Sequence, residues 1–154
     1  MRRALRLRSE RRQLMTAEAE VLGELRRLRA RLPQLTGALA ASTDGLVLAE
    51  ELTGAGSAGA GDTGAEPEGV AALTAAALGV SLRLTDSTGQ GGFRELLIRG
   101  ERGYVATYAA GGSAVLTVLA EPRINVGRLH LEARRSGARI GALVDSALER
   151  PENA

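Results

Sequence analysis

With 154 residues, 44% of them apolar and 25% charged, the chain suits a single domain with a buried core. Aromatics are only 2% of it, so Ala, Val, Leu and Gly must pack closely without ring anchors. The absence of Cys excludes disulfides, thiolate metal sites and Cys nucleophiles, and no apolar run approaches the roughly 18–20 residues of a membrane span.

All 20 basic residues are Arg. Without Lys there is no phosphate-binding Lys of a P-loop and no Schiff-base amine. The same bias, beside abundant Ala and Gly, points to a GC-rich genome of actinobacterial type. Residues 1–31 hold 10 Arg against 4 acids, and residues 32–154 hold 10 against 14. A basic arm therefore precedes a mildly acidic body, which argues against nucleic acid as a partner of that body.

Residues 1–15 read as a basic N-terminal extension, a solvated and frayed continuation of the next helix, unless Met15 is the true start. Leu5 and Leu7 sit singly among arginines, which is not the apolar stretch of a signal peptide. The arm carries neither aromatics nor a broad apolar face, so membrane contact through residues 1–14 is not expected. Its removal is expected to leave the melting temperature unchanged.

From Thr16 the pattern changes, and residues 16–150 read as the domain proper. Thr16 can cap a helix whose first turn holds Glu18 and Glu20, suited to the positive end of the dipole. Val21, Leu25, Leu28 and Leu32 line one face, Arg26, Arg27, Arg29 and Arg31 fill the outside, and Pro33 stops it. Two strands follow, Gly37 to Ser42 and Leu46 to Ala49, joined by the hairpin dipeptide Asp44-Gly45.

Residues 53–69 read as a flexible Gly/Ala loop. The loop contains Gly54-Ala55-Gly56-Ser57-Ala58-Gly59, a G-x-G-x-x-G match that no helix follows at the required place. Helix resumes from Pro67 to Leu84, with Val70, Leu73, Ala77, Val80 and Leu84 in one stripe flanked by alanines. That stripe suits either a sheet or a symmetry mate. Phe93 to Arg99, Tyr104 to Ala110 and Ala114 to Glu121 read as a three-stranded meander, since their links are short. A last helix begins near Asn125, with Leu129, Ala133, Ile140, Val144 and Ala147 inside and Arg134, Arg135 and Arg139 outside. Residues 151–154 are a tail.

The order helix-strand-strand-helix-strand-strand-strand-helix gives an α+β layer structure. It resembles the roadblock (dynein light chain) family, whose bacterial members include Mgl-type regulators of Ras-like GTPases. The residues that carry the resemblance begin with Ser42-Thr43-Asp44-Gly45-Leu46-Val47-Leu48-Ala49. They continue with Gly103-Tyr104-Val105, Ala114-Val115-Leu116-Thr117-Val118-Leu119 and Ile124-Asn125-Val126-Gly127-Arg128-Leu129, and close with Glu132-Ala133-Arg134-Arg135. The resemblance implies a five-stranded antiparallel sheet with one helix on one face and two on the other. It also implies a homodimer in which the middle helices pair through Val70, Leu73, Ala76, Ala77 and Val80. The third strands would pair edge to edge through Arg94, Leu96 and Ile98.

Candidate chemistry is sparse. His130 has Val126, Gly127, Ala133 and Arg134 as helical neighbours, so no metal ligand shares its face, and it reads as a surface residue. Gly111-Gly112-Ser113-Ala114 starts like a nucleophile elbow but ends in Val115 within a hairpin. Asp44, Asp62, Asp86 and Asp145 are scattered, with no paired carboxylates. An arginine finger such as Arg83 or Arg94 is not expected. The expectation is no catalytic, cofactor-binding or metal residues, and a cytoplasmic, non-catalytic homodimer that regulates or scaffolds a Ras-like small GTPase. The alternative is a small-molecule sensor or structural module on the same layers.

Overall fold

The structure, a computed structural model, describes residues 2–52 and 66–150. The G-x-G-x-x-G match, Asp62, most of the Gly/Ala loop and the tail lie outside the described residues. The elements run α1 (Arg2–Thr16), α2 (Glu18–Arg31), β1 (Leu35–Ser42), β2 (Val47–Glu50), α3 (Pro67–Ser87), β3 (Glu95–Gly100), β4 (Gly103–Ala110), β5 (Ala114–Ala120) and α4 (Val126–Glu149). The expected five-stranded sheet is present in the order β2-β1-β5-β4-β3, with every neighbouring pair antiparallel.

Strand alternation decides which side chains share a face. Ala38, Ala40, Ala106, Tyr108, Leu116 and Val118 meet Val21, Leu25 and Leu28 of α2 and Leu129, Ala133, Ile140 and Val144 of α4. Their neighbours Leu39, Ala41 and Val115 point the other way, where α3 sets Ala71 against them. The larger core thus lies under two helices and the smaller under one. Glycine shapes the first of these layers. A Cβ on Gly141 would lie 2.7 Å from the Ala110 carbonyl carbon, and one on Gly137 would lie 3.0 Å from the Ala109 oxygen, so α4 rests on the β4 backbone.

The ends of the elements differ from expectation in instructive places. Thr16 does not cap α2; its Oγ1 donates to the Gln13 carbonyl at 2.7 Å and closes α1. The chain breaks at Ala17, which offers no side-chain cap, and α2 starts with Glu18 and Glu20 in its first turn. Leu14 and Ala17 are buried in the larger core, and Gln13 Nε2 donates to the Arg150 carbonyl at 2.8 Å. The first hairpin turns through four residues rather than two, with Gly45 in the left-handed region (φ 92°) and Ser42 N–H donating to Leu46 O. Residues 67–69, read as the end of the loop, form the first turn of α3 with Pro67 at its start. Phe93 and Arg94 precede β3 rather than opening it. Asn125 does cap α4, accepting from Arg128 N–H at 3.0 Å.

Candidate interaction surface

α3 is seated by small residues. Ala71, Thr74 and Leu78 are buried against the sheet, and Thr74 Oγ1 lies 3.1 Å from Thr117 Oγ1, itself 3.1 Å from Thr107 Oγ1. All three hydroxyls are buried, and each finds its partner in the others. The seat is displaced by one residue from the stripe read in the sequence, which is about 100° of helix rotation. The reason is compositional. An Ala-rich helix with apolar residues on every side has no distinct stripe for periodicity to find.

The displaced stripe faces outward. Leu73, Val80 and Leu84 are 74%, 68% and 63% exposed. Ala76 is exposed with them, while Val70 and Ala77 are half-buried on the flank. α3 is also long and apolar enough by length and composition to cross a membrane, contrary to the reading that no run approached that length. Ala and Gly supply the difference, and only 17% of that stretch is buried.

Beyond α3 the same face of the sheet lies open. Leu96 and Ile98 pair across to Thr107 and Val105, and Thr107 pairs with Thr117 beneath α3, so all belong to one surface. Ile98 is 48% exposed. With Thr36, Val105 and Leu119 it lines a shallow depression of about 490 Å³. β3 is the free edge of the sheet, and Arg94 sits at its entrance, its carbonyl accepting from Ala109 N–H at 2.9 Å. Seven of the eight expected residues thus lie on the α3 side, whereas Arg94 precedes the strand and lines a depression with Tyr108, Arg134 and Gly141 on the α4 side. The outer face of α3 is thus apolar and exposed, with Glu68, Arg83 and Asp86 around it.

The opposite face is locked by charge. Glu24 of α2, 1% exposed, accepts from Ser136 Oγ at 2.8 Å, from Arg27 at 3.1 Å, from Arg139 at 3.3 Å and from Arg31 at 3.4 Å. Burial pushes its carboxyl up, but Ser136 and the three guanidiniums outweigh that and hold it below its ordinary value. Arg31 also reaches Glu132 at 2.9 Å, so Arg27, Arg31 and Arg139 are junction residues rather than outer decoration. Arg134 pairs with Glu95 of β3 and holds that carboxyl low. Sequence reasoning missed Glu24 because helical phase alone does not separate a buried Glu from a solvated one. The facing Ser136, Gly137 and Gly141 were the available signal.

The polar residues weighed as candidate chemistry have structural partners. His130 is half-buried rather than on the surface, its Nδ1 2.7 Å from the Tyr108 hydroxyl. Burial and then the Glu95 charge push that phenol's pKa up. Ser42 donates to Asp44, but its Oγ also accepts from Leu46 N–H at 3.0 Å, which is a turn-closing arrangement. Asp145 packs over Gly111, Asp86 is exposed at the end of α3, and Ser113 lies in the β4–β5 turn. Among the described residues no three His, Asp or Glu side chains converge as a metal site.

Comparison with known proteins agrees with this architecture. MglB in a tetrameric arrangement superposes with a TM-score of 0.74 at 19% identity, covering 85% of this chain and 92% of that one. Myxococcus xanthus MglB gives 0.72 at 14% identity, covering 88% and 95%. An uncharacterized protein of Methanocaldococcus jannaschii is 29% identical over 71% of this chain and 87% of its own length. The Roadblock/LC7 domain model matches residues 21–120, which run from the first buried residue of α2 to the end of β5. With that match over most of the chain, and the sheet order and helix placement already described, the protein belongs to the Roadblock/LC7 domain family.

Proposed function

We propose that this protein is a non-catalytic homodimer, acting in the cytoplasm, that regulates or scaffolds a Ras-like small GTPase. The observation that carries the reading is the apolar outer surface of α3 continued by β3. In the proposed dimer Val70, Leu73, Ala76, Ala77 and Val80 pair helix to helix, and Arg94, Leu96 and Ile98 meet edge to edge. Burying a Leu or Val side chain contributes roughly 1.5–3 kcal/mol, so three such residues repeated about a two-fold axis suit a stable association. Edge pairing also removes the free strand edge that would otherwise template aggregation. A regulator of this kind holds the GTPase's mobile segments in place and supplies no reacting group.

Size exclusion with light scattering tests the dimer, and a monomeric protein at micromolar concentration sinks it. Co-purification from the native cytosol, followed by binding in GDP and in a GTP analogue, tests the partner. Capture of a small GTPase whose affinity depends on the nucleotide is expected. A dimer that captures no GTPase in either state removes the regulatory reading and leaves the fold untouched.

A further inference from the structure

We propose that the outward face of α1 docks the protein on an anionic lipid bilayer. Six arginines and one glutamate lie between Arg2 and Thr16, while the rest of the chain carries a net negative charge. Residues 1–14 read from sequence as a frayed arm with no surface role. In the structure Arg2–Thr16 form a helix held at one end, where Leu14 and Ala17 enter the core and Gln13 binds the Arg150 carbonyl. A helix already formed and anchored does not lose further chain entropy when it meets a surface.

Its exposed face has the chemistry of a bilayer contact. Arg6 pairs with Glu10 at 3.3 Å, whereas Arg3, Arg8 and Arg11 make no ion pair among the described residues. Arg8, Arg11, Arg12 and Met15 surround a shallow depression of about 530 Å³. Guanidiniums over an apolar floor suit a phosphate headgroup above its acyl chain, since Arg stems lie along apolar surface while their heads stay at the interface. Leu5 and Met15 are 60% and 52% exposed among these arginines, whereas Leu7, on the Leu14 side of the helix, lines a hollow with Ser42, Asp44 and Leu148. A nucleic acid gains nothing from such side chains, and α1 has no aromatic to stack on bases. A bilayer buries Leu5 and Met15 and neutralises the arginines together.

Placement favours the same occupant. α1 packs on the side of α2 and α4, the opposite side of the sheet from α3. The negative body orients the molecule with α1 toward an anionic surface, and α3 and β3 stay accessible. This inference stands apart from the dimer and GTPase reading.

Sedimentation of the full chain with vesicles of phosphatidylglycerol and phosphatidylcholine in equal parts, against phosphatidylcholine alone, tests it. Binding to the anionic vesicles only, weakening as salt rises, is expected. The exposed pair Arg8→Glu/Arg11→Glu should weaken it by about tenfold or more. Leu5→Ser/Met15→Ser, which keeps the charge, should weaken it by about tenfold too. Both variants should melt with the parent protein. Absence of binding to anionic vesicles, or equal binding to neutral ones, overturns the proposal. So does an undiminished Leu5→Ser/Met15→Ser protein that binds an oligonucleotide more tightly than vesicles, which would make the face a nucleic-acid contact.

Discussion

Ser136 Oγ donates to Glu24 Oε1 at 2.8 Å across the junction of α2 and α4, and neither residue is open to water. Ser136 has no route to solvent if the carboxylate leaves, whereas Arg27 and Arg139 are more than half exposed and can turn outward. Glu24→Ala should therefore cost about 2 kcal/mol, the range of a hydrogen bond to a charged group. Glu24→Gln keeps an acceptor for Ser136 and should cost less. Urea unfolding of the two variants checks the order, and equal losses would refute this account of the junction.

The same carboxyl predicts an acid response. Its folded pKa lies below its ordinary value of 4.5, so its contribution is complete above that pH and is lost as pH falls through the folded value. Glu51, held low by Arg26, and Glu95, held low by Arg134, act in the same direction. Stability should decline below about pH 4.5, and Glu24→Gln should flatten the decline. Parallel pH curves for the variant and its parent would count against it.

Two glycines make opposite predictions. A Cβ on Gly141 meets Gly111 N and lies 2.8 Å from Gly111 Cα, all backbone that cannot step aside, so Gly141→Ala should cost about 1–3 kcal/mol or more. Gly79 of α3 has nothing within 4 Å, and Gly79→Ala should stabilise by up to about 1 kcal/mol through helix propensity. Thermal melts of the pair suffice, and destabilisation by both would mean that α3 is more crowded than described.

Ala77→Glu tests the proposed seam. It adds two carboxylates near the two-fold axis in an apolar contact, without partners, and should yield monomer. Ala138→Glu on the exposed side of α4 should leave the dimer intact. Light scattering distinguishes them, and a dimer that survives Ala77→Glu places the seam elsewhere.

Truncation separates the two ends of α1. Removing residues 1–9 should leave the melting temperature unchanged, because Arg3 to Arg8 are exposed and Ser9 is only half-buried. Removing 1–14 takes the buried Leu14 and the Gln13 bond to Arg150 and should lower it by several degrees. That replaces the expectation, drawn from composition, that the whole arm is dispensable. Equal melting of both truncations would restore it.

How much was legible followed from how distinct each pattern is. The face Val21, Leu25, Leu28 and Leu32 was readable because the residues around it are charged, and the Asn125 cap because it precedes a clear amphipathic run. The meander was readable because its links are short. The seat of α3 was not, because alanines surround Ala71, Thr74 and Leu78 on every side. Glu24 was hidden because its burial depends on Ser136, more than a hundred residues away in the chain. His130 was misjudged for the same reason, since only the fold brings Tyr108 to it. Local pattern reports local preference, and contacts between distant segments must be seen.

The three threonine hydroxyls beneath α3 work like a key in a slot. Thr74, Thr117 and Thr107 form a row that accepts only one rotation of the helix and one position along the sheet. Sliding α3 by a residue would strand at least one hydroxyl without a partner in a dry layer. The fastening uses none of the outward residues, so those can drift under selection for a new partner without disturbing the hold beneath. Seat and face can evolve as separate traits on a single helix.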